Sequence, residues 1–225
     1  MKRMDKEFRA NILQLLQSQS PFSLKFYVIN EDIESKVETA LATLFEFYNR
    51  QEYTAVIYTC VKELMINATK ANLKRVLFEM NHLDINNENH YLEGMLAFRN
   101  LLAEKSYHTF LPQLKEKNYW VMMRCTHSKD GVKIEVMNNA SMAPIENRRL
   151  REKLKKAMQY DSLAEFYLEQ GDEMEGAGMG IALIVMLLKG MNLDPALFRI
   201  GTTLDDQTFA RIEVPFTMEY RHARE

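Results

Sequence analysis

Two pairs of strand-like segments limit the folds that this chain can adopt. Residues 118–126 and 132–138 are rich in β-branched, aromatic and other apolar residues, and the Asp130-Gly131 dipeptide between them favours a tight hairpin turn. Residues 196–204 and 208–216 form a second such pair. Because hairpins place successive strands side by side, these segments predict a sheet against which the rest of the chain must pack.

Helical periodicity occupies most of the remaining sequence. Apolar residues recur at spacings of three and four residues in segments that lie before and between the two hairpins. Helices are expected over residues 32–50, 52–79 and 91–104, after Pro144, and in the apolar stretch after Gly180. One further strand is expected over residues 24–30. Helices grouped between hairpins predict an α+β fold, a two-layer α/β sandwich in which helices cover one face of a mixed sheet.

The length of 225 residues, 47% of them hydrophobic, suits one domain with a substantial core. We expect this domain to span residues 22–217, preceded by an N-terminal helical extension over residues 1–21 and followed by a tail over residues 218–225. The extension carries an apolar face that either packs on its own domain or contacts a second copy in a homodimer. This face is formed by Phe8, Ile12, Leu15 and Leu16.

Charge and cysteine content argue against several classes of protein. The net charge of −2 gives no reason to expect a nucleic-acid partner. The N-terminus is charged and then amphipathic, without the apolar centre of a signal peptide, and no run of 18 apolar residues predicts a membrane span. Cys60 and Cys125 have no CxxC partner and suit reduced thiols. We therefore expect a cytoplasmic protein with no membrane partner.

A polar stripe lies on the longest predicted helix. Glu63, Asn67 and Lys70 are spaced at i, i+4 and i+7, so they share one helical face. An asparagine oxygen suits Mg²⁺, a lysine suits phosphate oxygens, and a glutamate can accept a proton from an attacking hydroxyl or water. The stripe indicates either a phosphate–metal site or a solvated face with an ordinary Glu–Lys pair.

Three glycines at alternate positions, Gly176, Gly178 and Gly180, lie directly before an apolar stretch. Glycine lets a ligand approach the main chain closely, and a helix that begins there offers unpaired N–H groups to an anion. The P-loop and the dinucleotide fingerprint both fail, because no lysine follows Gly180 and position 181 is Ile. Taken alone, the glycines predict either a phosphate loop or a flexible linker.

Four motifs, in this order, resemble those of the GHKL ATPases, which include gyrase, histidine kinases, the heat-shock chaperone and the mismatch-repair ATPases. They are ELMINATKA (63–71), VMNNA (136–140), GAGMGIALIV (176–185) and QTFARIEVP (207–215). The resemblance covers roughly residues 22–217 and implies the Bergerat, or histidine kinase-like, ATPase fold. In layout the chain is most similar to the anti-sigma-factor serine kinases and to the ATP-binding domains of histidine kinases.

The resemblance implies ATP and Mg²⁺ as cofactors and gives the first motif three roles. Glu63 would be the general base or orient the nucleophile, Asn67 would bind Mg²⁺, and Lys70 would contact phosphate. Phosphoryl transfer would then rest on positioning and on the stabilisation of charge.

The resemblance also implies that the remaining motifs contact the two ends of the nucleotide. Asn138 would face the adenine amino group, and Thr208 would support that contact. Gly176, Gly178 and Gly180 would offer backbone N–H groups to the phosphates.

The sequence departs from the family's pattern in two regions, the motif at 136–140 and the segment 72–117. Asn138 stands where the family has aspartate, and the loss of charge is expected to weaken the adenine hydrogen bond by about 1 kcal/mol. Ala140 stands where the family has glycine, which stiffens the loop. One or two extra helices are expected over residues 72–117, as a surface elaboration, a partner-docking platform or a cover over the nucleotide.

The resemblance therefore implies an ATP-binding signalling protein, expected to transfer the γ-phosphoryl group of ATP to a regulator or phosphoacceptor protein. No His-Glu dipeptide occurs, which argues against autophosphorylation on an internal histidine. A non-catalytic switch that holds a partner is the alternative. ATP hydrolysis coupled to dimer clamping is a third possibility, disfavoured because such proteins carry large additional domains.

Overall fold

The computed structural model describes residues 2–103, 109–170 and 179–222. Its α-helices are α1 (Lys2–Gln17), α2 (Glu31–Phe47), α3 (Thr54–Met80), α4 (Glu88–Ala103), α5 (Leu111–Glu116), α6 (Pro144–Ala157), α7 (Leu163–Gln170) and α8 (Met179–Gly190). Its strands are β1 (Phe22–Phe26), β2 (Val121–Ser128), β3 (Gly131–Asn138), β4 (Phe198–Thr202) and β5 (Thr208–Pro215). The protein thus belongs to the α+β class that the sequence predicts.

The five strands form one sheet in the order β1-β2-β3-β5-β4, and all four neighbouring pairs are antiparallel. The expectation of a mixed sheet is therefore wrong for the described residues. The two hairpins account for two of these pairs. After β3 the chain forms helices of the helical layer and then β4. It reverses direction after β4, so β5 lies between β4 and β3 and is antiparallel to both.

The helices pack against one face of the sheet. Alternate residues of the strands point into this layer. Among them Met123, Ile134 and Ile212 are at most 1% exposed. The central helix α3 contacts β2, β3 and α8, and α2 packs beside it. None of the helices in the described ranges is long and apolar enough to cross a bilayer.

The N-terminal helix α1 joins this same core. Ile12 and Leu16 are 4% and 1% exposed and belong to the main core, where α1 packs against α2. The apolar face of residues 1–21 thus packs on its own domain, one of the two alternatives that the sequence left open.

The first strand ends earlier than the sequence predicts. β1 stops at Phe26, and Asn30, which the strand pattern included, caps α2 instead: its side chain accepts a hydrogen bond of 2.9 Å from the Ile33 N–H. Glu31, Asp32 and Glu34 lie in the first turn, where carboxylates interact favourably with the helix dipole.

Residues 72–117 contain the end of α3, all of α4 and the short helix α5. These elements share a small second core in which Val76, Phe98 and Leu114 are at most 5% exposed. Extra helices are therefore present in this segment, as predicted. Leu92 and Leu96, one turn apart on α4, are 65% and 62% exposed.

Candidate functional site

A cavity of about 160 Å³ lies between the helical layer and the end of the central strands. Asn67 of α3, Asn138 of β3, Gly180 of α8 and Thr208 of β5 all line it. These residues are far apart in the sequence and come from four different elements. The fold thus brings together one member of each of the four motifs identified in the sequence.

Strand register explains why two of these residues meet. Asn138 is the last residue of β3 and Thr208 the first of β5, and the two are direct partners across the antiparallel pair. Beyond β3 the chain turns back, so that the Thr208 hydroxyl donates a hydrogen bond of 2.8 Å to the carbonyl of Ala140. The loop after β3 is therefore tied to the start of β5.

Asn138 is 3% exposed and belongs to a chain of amide hydrogen bonds. Its Nδ2 donates to Oδ1 of Asn72 at 3.0 Å and to the carbonyl of Ala140 at 3.4 Å. Asn72 is fully buried, and its Nδ2 donates to the Trp120 carbonyl at 2.9 Å. Since Asn138 also lines the cavity, this network fixes the orientation of its amide at the cavity wall.

Asn72 is a residue that the sequence analysis missed. It follows Asn67 by five residues, so it lies on a different face of α3 from the Glu63–Asn67–Lys70 stripe. A polar residue among the apolar neighbours Leu73 and Val76 could have signalled a buried partner, because a buried amide requires hydrogen bonds.

Glu63 and Asn67 meet the first turn of α8. Nδ2 of Asn67 donates a hydrogen bond of 3.1 Å to Oε1 of Glu63. A Cβ atom added to Gly180 would lie only 2.0 Å from the same Oε1 atom, so the carboxylate of Glu63 lies directly against this glycine. The absence of a side chain at position 180 is therefore what leaves room for the Glu63 carboxylate.

The structure does not bring Lys70 to this cavity. Lys70 lines a separate, larger cavity of about 480 Å³, together with Ile66 and Leu73 of α3 and with Glu31 and Glu34 of α2. The polar stripe on α3 therefore divides, with Asn67 facing one cavity and Lys70 the other. The role of Lys70 as a phosphate contact stays a prediction.

Two of the predicted phosphate-binding residues, Gly176 and Gly178, lie outside the described residues, as does the acidic segment 172–175. Gly180 is the one glycine of the motif that the described residues include. From this motif, the described lining of the cavity therefore begins at α8.

An ion cluster holds α6 beside the cavity, which Leu150 of α6 also lines. The carboxylate of Glu146 pairs with Lys74 and Arg75 of α3, and it accepts a hydrogen bond of 2.9 Å from the Ala143 N–H. Burial would raise the pKa of Glu146, but the two cations and their hydrogen bonds outweigh it and lower the pKa to about 2. Glu146 is thus a largely buried anion, with 14% of its side chain exposed, and sequence analysis gave no indication of it.

The described residues contain no group of three or more His, Cys, Asp or Glu side chains that could hold a metal ion by themselves. Glu63 and Asn67 offer one carboxylate and one amide oxygen side by side. The amide oxygen of Asn67 suits Mg²⁺, a hard cation that takes oxygen ligands together with water and substrate phosphates.

Comparison with known proteins identifies one relative of undefined activity. The chain is 28% identical over 208 residues to an uncharacterized protein of Treponema pallidum (strain Nichols). The alignment covers 92% of this chain but only 40% of the relative, so the chain spans less than half of that protein's length. No protein-family model and no solved structure matches the sequence.

Proposed function

We propose that this protein binds ATP with Mg²⁺ in the manner of the GHKL ATPases, in a Bergerat-type fold, and transfers the γ-phosphoryl group to a protein partner. One observation carries the proposal: Asn67, Asn138, Gly180 and Thr208, one from each of the four motifs, line a single cavity. These four residues lie far apart along the chain, so local sequence pattern does not require them to meet in space.

At the adenine end of the site, Asn138 and Thr208 are the proposed contacts. Among the described residues no donor bonds Oδ1 of Asn138, because both of its hydrogen bonds are made by Nδ2. That oxygen is therefore available to accept a hydrogen bond from the adenine amino group. A volume of about 160 Å³ is below the range typical of whole-ligand pockets, so the base would occupy the cavity and the phosphates would extend out of it past Asn67 and Gly180, which also line it.

At the phosphate end, the first turn of α8 and the Glu63–Asn67 pair are the proposed contacts. A helix N-terminus carries unpaired N–H groups and a positive dipole end, both of which favour phosphate. Asn67 would hold Mg²⁺ through its oxygen. Glu63 would accept the proton of the attacking hydroxyl, or orient that hydroxyl, from its position against Gly180.

A non-catalytic switch is the second candidate, and Asn138 favours it. In this chain the amide of Asn138 is already engaged by Asn72 and Ala140, so it contributes to the stability of the fold without any ligand. Such a module would bind nucleotide weakly and act through the shape it presents to a partner.

Incubation with Mg²⁺ and γ-labelled ATP separates the two candidates. The protein is tested alone and with candidate partners from its own cell, as wild type and as Glu63→Ala and Asn67→Ala. Transfer of label to a partner, abolished in both variants, supports the kinase. A thermal shift with Mg²⁺-ATP but no transfer supports the switch.

Glu38→Ala provides the matched control, because Glu38 is an exposed glutamate on α2. This variant should transfer label as the wild type does. If millimolar Mg²⁺-ATP produces no thermal shift in the wild type, both ATP-dependent functions are wrong.

A further inference from the structure

The outer face of the sheet, on the side opposite the helices, carries side chains in ordered rows. Because paired residues of neighbouring strands point to the same side, the strand register defines these rows directly. The first row runs across the sheet through Lys25, Met122, Met137, Phe209 and Gly201. The second row runs through Ser23, Arg124, Glu135, Arg211 and Arg199. We call these two rows the outer-face stripe.

The first row is apolar at its centre. Met122, Met137 and Phe209 are adjacent on three neighbouring strands, and all three are partly exposed. The ring of Phe209 lies over Gly201, where an added Cβ would be 3.1 Å from it. Methionine side chains adapt to partners of different shape, and aromatic rings contribute large contact areas. The row thus offers a continuous apolar strip.

The second row is predominantly basic. Arg124 is exposed, and Arg211 is 13% exposed, with Glu135 at 3.9 Å and Glu213 at 3.3 Å. Including Lys25 and Arg199, the stripe holds four basic side chains and one acidic one, Glu135. The chain as a whole has a net charge of −2, so this positive surface is a local feature.

The far end of the outer face is covered by the chain itself. The Tyr220 hydroxyl donates a hydrogen bond of 3.2 Å to the carboxylate of Glu213, which is fully buried, and the Tyr220 ring lies against Gly131. The segment around Tyr220 therefore occupies the row below the stripe. This segment does not cover the outer-face stripe, so an external partner can contact its apolar row and its basic row together.

We propose that the outer-face stripe binds an acidic, amphipathic segment of a protein partner. Leucine-like side chains would pack on Met122, Met137 and Phe209, and carboxylates would pair with the row that contains Arg124. Complementary charge would set the orientation of the segment, while the apolar strip would supply most of the contact area.

Protein fits this surface better than nucleic acid does. Two methionines form the centre of the apolar row, whereas surfaces that bind single strands use aromatic platforms for base stacking. The relative from Treponema pallidum is also longer than this chain, so a related module occurs within a larger protein.

Methyl NMR of the full chain with labelled methionines locates the binding. The probe is a synthetic helical peptide with glutamates on one face and leucines on the other. The Met122 and Met137 methyl signals should shift during titration. The Met123 signal should not, because Met123 is fully buried on the inner face. A matched peptide with lysine in place of glutamate, and an oligonucleotide of thymidines, are titrated in parallel.

Charge reversal tests the role of the basic groups. The double variant Lys25→Glu with Arg124→Glu changes two exposed residues of the stripe and should weaken peptide binding at least tenfold. The control, Arg151→Glu with Lys155→Glu, makes the same charge change at exposed positions of α6 and should leave the affinity within twofold of wild type. Higher salt should weaken the wild-type interaction.

Three outcomes would overturn the proposal: no binding of the acidic peptide, equal binding by the stripe variant and the wild type, or tighter binding of the oligonucleotide or the lysine peptide at the same methionines. The test does not depend on ATP. The thermal shift with Mg²⁺-ATP is measured on the same variants and should be unchanged, so a failure of the nucleotide site is detected separately.

Discussion

Asn138 shows how a single residue can serve both the fold and the site. Its Nδ2 donates to two acceptors, Oδ1 of Asn72 and the Ala140 carbonyl, and aspartate could donate to neither. We predict that Asn138→Asp lowers the free energy of unfolding by about 1–3 kcal/mol. The new carboxylate would be buried among acceptors, so its folded pKa would be raised and stability would fall further as pH rises from 5 to 8.

Urea denaturation at the two pH values measures this effect, with Asn147→Asp at an exposed position of α6 as the control. Equal stability of Asn138→Asp and wild type at pH 8 would contradict the role of the amide network. The same variant tests the adenine contact: at pH 8, where the carboxylate is ionised, a charged acceptor should tighten ATP binding by about fivefold. Unaltered ATP affinity would show that Asn138 does not bond the adenine amino group.

The need for glycine at position 180 is explained by the Glu63 side chain that lies against it. We predict that Gly180→Ala displaces the Glu63 carboxylate, since the new Cβ would lie 2.0 Å from Oε1. The displaced group is the end of a flexible side chain, so the free energy of unfolding should change by less than about 1 kcal/mol. Phosphoryl transfer should fall at least tenfold in the γ-labelled ATP assay.

Gly190→Ala is the control for this substitution. Gly190 is the last residue of the same helix, and a Cβ added there would meet no atom within 4 Å among the described residues. This variant should keep full transfer activity. Wild-type activity in Gly180→Ala would show that the position of the Glu63 carboxylate is irrelevant to the reaction.

At the scale of elements, the ion cluster of Glu146 fixes α6 to α3. We predict that Glu146→Gln lowers the free energy of unfolding at neutral pH by about 3 kcal/mol, because two largely buried cations, Lys74 and Arg75, lose their counter-ion. The folded pKa of Glu146 is about 2, below the ordinary value of 4.5. The contribution of ionised Glu146 to the free energy of unfolding is therefore complete above about pH 5 and is lost as pH falls toward 2.

Urea denaturation near pH 3, 5 and 7 measures this dependence. The difference between wild type and Glu146→Gln should be constant from pH 5 to 7 and fall to less than half of that at pH 3. Glu152→Gln, at an exposed position of the same helix, should cause little change at any of these pH values. An undiminished difference at pH 3 would contradict the paired state of Glu146.

Elements with a strong local pattern could be predicted from the sequence, and elements set by longer-range contacts could not. The hairpin at Asp130-Gly131 and the long helix α3 follow from turn chemistry and from apolar periodicity. The short helices α5 and α7 are too brief for periodicity to identify. The end of β1 was misplaced because Asn30 contributes a cap, which an apolar strand pattern does not reveal.

At the scale of the whole molecule, the sequence related four residues of the candidate site that lie far apart along the chain, but it did not predict the antiparallel sheet around them. The shared cavity of Asn67, Asn138, Gly180 and Thr208 could be anticipated only from the resemblance of the four motifs to one family, since local pattern holds no information about their distance in space. Lys70 was grouped with Asn67 by helical spacing, but side chains three residues apart can face different cavities. Asn72 and the Glu146 cluster depend on partners more than 40 residues away.

The packing of α1 determines whether residues 1–21 are an extension or part of one cooperative unit. We predict that Leu16→Ala lowers the free energy of unfolding by about 2–5 kcal/mol, because Leu16 is 1% exposed within the main core. Since the chain has one tryptophan, Trp120, directly before β2, the urea midpoint is measured by its fluorescence and by far-ultraviolet circular dichroism. Both midpoints should fall together if α1 unfolds with the sheet.

Leu204→Ala is the matched control, because Leu204 is fully exposed in the turn between β4 and β5, and this variant should leave both midpoints unchanged. A fall in the helical signal alone, with the Trp120 midpoint unaltered, would show that α1 melts separately and is an appendage. A common fall would instead place α1 within the cooperative unit, because the loss of core contacts at Leu16 would then be transmitted through α2 and α3 to the sheet that carries Asn138 and Thr208.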